Sequence, residues 1–177
     1  MTGKKNIISF PDNLNITLSG IDTMRLHEHG QAIFVHFSFD EKLSSIQSSF
    51  LIKQLLKKGM LDFQLTDFMF NRAKGFHGPF KSKLVKNSDF KKIDESNFVE
   101  SIYRIITKER KDTPLILDDR KDAFMEKVEL ITKKETEFFI LDRELSNEPK
   151  KFEHEWSHAL TEYHEFLILN YSTNNIF

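Results

Sequence analysis

Apolar and polar residues alternate in LNITLS, residues 14–19: Leu14, Ile16 and Leu18 share one face, and Asn15, Thr17 and Ser19 the other. A period of two marks a half-buried strand. Pro11, Asp12 and Asn13 have turn chemistry, so residues 6–10 and 14–19 are expected to form a hairpin. After the turn HEHG, residues 27–30, the run QAIFVHFSF puts Ile33, Val35, Phe37 and Phe39 on one face and Ala32, Phe34, His36 and Ser38 on the other. Both faces are largely apolar, which predicts a central strand covered on two sides. His36, alternating with core residues, reads as a hydrogen-bonded core histidine.

The period then changes. Asp40 is placed to cap a helix reaching Lys58, with Lys57 and Lys58 in its last turn and Gly59 to end it. Residues 60–73, MLDFQLTDFMFNRA, carry Leu61, Leu65, Phe68 and Met69 on a stripe widened by Phe63 and Phe70, which predicts a largely buried helix. KGFHGPFKSK, with two glycines and a proline, is expected to be a loop. Asp94 can cap a helix through about Arg110, with Phe98, Ile102, Ile105 and Ile106 inward.

Residues 114–117, PLIL, form a short candidate strand. Residues 118–134 predict a helix with Phe124, Val128 and Ile131 inward, and TEFFIL, residues 136–141, a further strand. Asn147, Glu148 and Pro149 then look like a helix start. Phe152, Trp156, Leu160, Tyr163 and Leu167 recur at helical spacing beyond it. No repeat, low-complexity tract or long linker interrupts the chain. The expected class is therefore α+β: N-terminal antiparallel strands, then several helices with two or three further strands in the C-terminal half, in one compact domain over residues 1–177.

Composition narrows the chemistry. The 177 residues are 39% hydrophobic and include 18 Phe, enough for one sizeable core built from rings without polar tips. Charges nearly cancel, at a net −1, so no global field draws the chain onto nucleic acid or an anionic membrane. The absence of cysteine excludes disulfides, thiolate zinc sites and thiol nucleophiles. Neither a signal-peptide segment nor an apolar run of membrane-spanning length is present, so a cytoplasmic location is expected. The Lys-, Asn- and Ile-rich usage correlates with AT-rich genomes.

HEWSHALTEYH, residues 154–164, is the stretch that names a chemistry. In H-E-x-x-H two histidines four apart on a helix bind one zinc, and the glutamate between them activates the metal-bound water. Here these are His154, Glu155 and His158. His164 follows six residues after His158, so these eleven residues resemble the metzincin pattern H-E-x-x-H-x-x-G-x-x-H, with Thr161 in place of the glycine that turns the chain. The resemblance implies a zinc hydrolase with His154, His158 and His164 as ligands and Glu155 as general base. The methionine turn of that family has no counterpart, since the last methionine is Met125. On a continuous helix both His154 and His158 oppose the apolar stripe, so the same letters describe a solvated helix face.

Two other constellations stand out. Asp118, Asp119, Asp122, Asp142 and Glu144 follow two similar strand-like runs and could form an acidic cluster at one sheet end. Asp118 and Asp119 are equally placed to meet a helix dipole. Residues 72–83, RAKGFHGPFKSK, interleave four basic residues with Phe76, His77 and Phe80, a pattern that single-stranded nucleic acid would use. With no second basic run to join it, the loop is expected to fold its rings onto the core instead, and nucleic acid is not expected as a partner. These features point to a protein-binding module, and the class expected is the bacterial immunity protein, whose carboxylates cap the basic active site of a cognate toxin nuclease. The zinc hydrolase is the alternative.

Overall fold

The structure is a computed structural model describing residues 15–40, 47–66, 69–109, 115–132, 135–145, 151, 153–155, 157 and 160–177. Strands β1 (Ile16–His27) and β2 (Gly30–Phe39) pair antiparallel around Glu28 and His29, so the hairpin turn falls in HEHG. The expected partner of residues 14–19 lay in residues 6–10, outside the described residues. After β2 come helix α1 (Ser48–Lys57) and four short strands, β3 (Phe63–Thr66), β4 (Met69–Arg72), β5 (Phe76–His77) and β6 (Phe80–Lys81). Strand β7 (Phe90–Ile93) leads into helices α2 (Glu95–Thr107) and α3 (Asp118–Ile131), and the chain closes with β8 (Thr136–Leu141), β9 (Phe166–Asn170) and β10 (Asn175–Ile176).

Six strands form one sheet in the order β1-β2-β10-β9-β8-β7, antiparallel at every junction. The side-chain parity of its strands builds two cores. Phe34, Phe138 and Ile168 face α2 and α3, where they meet Phe98, Ile102, Ile106, Phe124, Val128 and Ile131. Phe37, Phe39, Phe139, Leu141, Leu167, Leu169 and Ile176 face the other way, onto Leu51, Ile52 and Leu55 of α1 and onto Phe63 and Phe80 of a second sheet, ordered β4-β3-β5-β6. The result is α+β with the strands first. The two-sided burial read from QAIFVHFSF is present in β2. His36 differs from expectation: it packs edge-on to Phe177, and its Nε2 lies 4.0 Å from the Asp22 carboxylate, beyond hydrogen-bond reach.

Helices α2 and α3 occupy the predicted segments with the predicted inward faces, except that Ile105 is only half-buried and joins neither core. The Asp94 side chain accepts from the Asn97 amide at 2.8 Å and caps α2. Helix α1 ends at the expected glycine. Gly59 has φ 62, its amide donates to Leu56 O, and the Met60 amide donates to Leu55 O, the paired bonds of a Schellman cap. Its start is later than expected, with Gln47 rather than Asp40 at the N-cap.

Residues 60–73 are not a helix. Phe63 pairs with Arg72, Gln64 with Asn71 and Leu65 with Phe70 in the β3–β4 hairpin, and Phe63 stacks on Phe70 at 4.5 Å. Leu61, Phe63 and Leu65 also fit a period of two, and the adjoining edge of β5, paired at Phe63↔His77, made that period the one that buries them. The supposed loop after it contains β5 and β6 joined through Gly78 and Pro79, with Gly78 at φ 54. PLIL forms no strand over its described residues: Ile116 is buried while Leu115 and Leu117 stay exposed. The helix start at residues 147–149 lies outside the described residues.

One buried polar side chain ties the layers together. Asn170, at the end of β9, donates through Nδ2 to Ile131 O at the end of α3 (3.1 Å), and its Oδ1 accepts from Ser172 Oγ (2.7 Å) and the Thr173 amide (3.0 Å) in the turn to β10. Asn170→Leu keeps the branched shape, removes both amide functions, and strands Ile131 O and the Thr173 amide, at a cost of about 2–4 kcal/mol in urea unfolding. Ser172→Ala, at an exposed hydroxyl, is expected to stay close to wild type in the same measurement.

Candidate functional site

The segment 153–165 forms no α-helix over its described residues, although Glu155 and Ser157 belong to a single 3₁₀ turn. Glu153 makes an isolated bridge to Phe80, the His154 amide donates to Pro79 O at 3.0 Å, and the Ser157 amide to His154 O at 3.0 Å. The chain thus runs along the open edge of β6 and then turns tightly. By residues 162–165 it is extended and leads into β9. Of the residues at helical spacing, Phe152 and Trp156 lie outside the described residues, and Leu160 and Tyr163 are not helical.

The described members of the motif have separate surroundings. His154 lies over the Phe76 ring at 4.1 Å, and burial lowers its pKa below the ordinary value despite hydrogen bonds to the Gly75 and Phe80 backbone. Glu155 is exposed. The His164 Nε2 sits 3.3 Å from the Glu162 carboxylate, and Glu162 also receives Lys108 at 2.6 Å. His158 lies outside the described residues. Among the described residues no three His, Asp or Glu side chains are gathered to hold a metal ion.

Beneath the segment lies a buried polar network that the sequence did not suggest. His77, on β5, is 1% exposed, and its Nε2 is 2.9 Å from Glu165 Oε2. The Tyr163 hydroxyl donates to the same oxygen at 2.7 Å. Gly78 lies so close to the tyrosine that a Cβ there would fall 2.6 Å from its Cζ and Oη. Ser157, fully buried, donates to Glu153 Oε2 at 2.9 Å. Phe80 is enclosed between Tyr163, edge-on at 5.7 Å, and the Arg143 guanidinium at 5.8 Å, which itself grips Asp89 at 2.6 and 3.0 Å and Leu84 O at 2.7 Å. No local pattern links His77 to Glu165 across 88 positions of sequence. Largely buried, the network latches the described residues of this segment onto the small sheet.

The acidic set is divided. Asp118, Asp119 and Asp122 are exposed on the first turn and a half of α3, where Asp118 pairs with Lys121 at 3.0 Å. Arg120 in that turn reaches Arg25 O and Leu26 O of β1, at one sheet edge. Asp142 and Glu144 follow β8 near the other edge, where the Asp142 amide donates to Asp89 O at 2.8 Å. Four strand spacings separate β1 from β8, about 19 Å at ~4.8 Å each. The three α3 carboxylates instead continue into exposed Glu126 and Glu129 along the same helix. Alongside, an open groove on α2 is lined by Asp94, Glu95, Ser96, Val99, Glu100 and Tyr103. No helix among the described residues is long and apolar enough to cross a membrane. Comparisons with models of known families, with curated proteins and with solved structures found no match.

The buried pair sets a pH dependence. Burial pushes His77 toward its neutral form, but the Glu165 carboxylate outweighs it and raises the imidazole above its ordinary 6.5. Glu165 is pushed up by burial and pulled down further by His77 and the Tyr163 hydroxyl, ending below its ordinary 4.5. The imidazolium's contribution to stability is complete below pH 6.5 and is lost as pH rises through the folded value. The carboxylate's is complete above pH 4.5 and is lost as pH falls through its folded value. Urea midpoints should therefore be highest between these limits and fall on the alkaline side. His77→Gln should flatten that alkaline arm and, by leaving Glu165 without its cation, lower stability by about 3–5 kcal/mol.

Proposed function

We propose that this chain is a protein-binding module whose docking surface is the outer face of α2 and α3, and that its partner is a basic protein. The observation that carries the reading is the exposure of large apolar side chains among carboxylates. Tyr103 is 61% exposed, Leu130 62% and Val99 43%, in a helical layer that also presents Glu95, Glu100, Asp119, Asp122, Glu126 and Glu129. An exposed tyrosine on a layer where carboxylates outnumber cations such as Arg104 and Lys121 has the makings of a binding hot spot: the ring supplies buried area and the net charge steers the approach. Helices α2 and α3 meet the sheet through their opposite faces, so the outer face is free to dock without repacking the core.

The partner class that fits is a nuclease-type toxin, whose substrate cleft is lined with cations. The carboxylates of α3 would occupy that cleft in place of phosphates, and the protein would act in the cytoplasm as an immunity factor. Asp118, Asp119 and Asp122 belong to this surface; Asp142 and Glu144 lie outside it. The zinc-hydrolase alternative turns on His158, and zinc content in protein purified without a histidine tag decides it.

The test is co-expression with the products of neighbouring genes, followed by calorimetric titration of the purified pair. Wild type should protect cells from the toxic product and bind it tightly. Tyr103→Ala should weaken binding at least tenfold, and Glu126→Lys with Glu129→Lys should slow association and reduce its salt sensitivity. If no neighbouring product binds, or if these variants bind like wild type, the reading fails.

A further inference from the structure

A second charged surface lies on the far side of the large sheet, where α1 meets the β3–β6 sheet. An open groove of about 690 Å³ runs there between the end of α1 and the β4–β5 turn. Lys57 and Lys58 form one wall; Arg72, Lys74 and Lys83 form the other; Asp62 is the one carboxylate in the lining. All five cations are exposed. The two walls are pinned together. Arg72 donates to Gly59 O at 2.8 Å, and the Gly75 amide donates to the Asp62 carboxylate at 3.0 Å. The negative end of α1 is muted, because Gly59 and Met60 amides satisfy its last carbonyls. The expectation against nucleic acid rested on a basic run with no second run to join it. Lys57 and Lys58, fifteen or more positions upstream of Lys74 in sequence, are that second run.

We propose that this groove binds the phosphodiester backbone of single-stranded nucleic acid without reading its sequence. Five cations against one carboxylate give a local field that the net charge of −1 conceals. Lysine ammonium groups are flexible point charges suited to successive phosphates. No aromatic ring lines the groove: Phe76 is stacked on His154, and Phe80 is buried. A base therefore finds no stacking platform, and binding depends on phosphates alone. An open trough also suits a chain passing through it, whereas a small nucleotide is normally held in a site that buries most of its surface. The surface is separate from the α2–α3 face, so it stands or falls independently of the protein-docking reading.

Fluorescence anisotropy with a labelled mixed-sequence 20-nucleotide strand, titrated with full-length protein from 50 to 200 mM NaCl, tests it. With three phosphates engaged, the affinity should drop roughly 20-fold over that range, since each contact contributes about 0.7 to the logarithmic salt slope. The triple variant Lys57→Glu, Lys74→Glu, Lys83→Glu should bind at least tenfold more weakly with an unchanged circular dichroism spectrum. Glu126→Lys with Glu129→Lys, on the opposite layer, should not weaken it. Three results would overturn the proposal: no binding at 50 mM NaCl, a triple variant that binds like wild type, or a duplex held more tightly than the strand. Inorganic triphosphate that binds the groove while the strand does not would also overturn it, and would mark a small-anion site instead.

Discussion

The central strands must be apolar on both faces, and the rest of the fold is arranged around that requirement. From Phe166 to Leu169 strand β9 has no polar residue, because Leu167 and Leu169 enter one core while Phe166 and Ile168 enter the other. Strands β2 and β8 obey the same rule. A sheet of this kind needs two covering layers. Helices α2 and α3 supply one; α1 and the small sheet supply the second. Where β9 finally turns polar, at Asn170, the side chain is fully committed to the end of α3 and to the β10 turn. The constraint thus fixes the register of the closing strands as well as the composition of the core.

The second covering layer is the less regular one, and polar bonds do there what apolar packing does elsewhere. Its strands are two to four residues long, too short to be stable alone. They are held by the segment before β9, which lays Glu153 against Phe80 and drops Glu165 onto His77. Removing two charges from water is costly, and a partner at hydrogen-bond distance is what offsets it. Tyr163 adds a donor to the same carboxylate, and burial together with that carboxylate keeps its own hydroxyl protonated, well above pH 10. The close approach of Gly78 to that ring leaves no room for another residue.

Legibility of the sequence followed the strength of the local signal. Helices α2 and α3 and strands β2 and β8 could be read because periodicity, caps and inward faces agreed with one another. Residues 60–73 were ambiguous by nature: Leu61, Phe63 and Leu65 satisfy both periods, and only the β5 edge, formed later in the chain, chooses between them. The start of HEWSH is ambiguous in the same way. Its helical stripe is real in the letters, but Glu153 and His154 are claimed by the edge of β6 through Phe80 and Pro79. The His77–Glu165 pair was beyond local reasoning altogether, since neither residue sits in a pattern that points to the other.

Charge shows the same contrast between local pattern and placement. A near-neutral total suggests a featureless surface, yet folding sorts the signs. Asp119, Asp122, Glu126 and Glu129 recur along the outside of α3 at spacings that leave the opposite side to Phe124, Val128 and Ile131. Lys57, Lys58, Arg72, Lys74 and Lys83 gather beyond the other face of the sheet, drawn from a helix end and a hairpin that the chain order keeps apart. At about 8 Å of screening in physiological salt, two such surfaces on opposite layers act independently. Neither is cancelled by the other. The charge that governs encounter is therefore the local one, and it is fixed by topology rather than by composition.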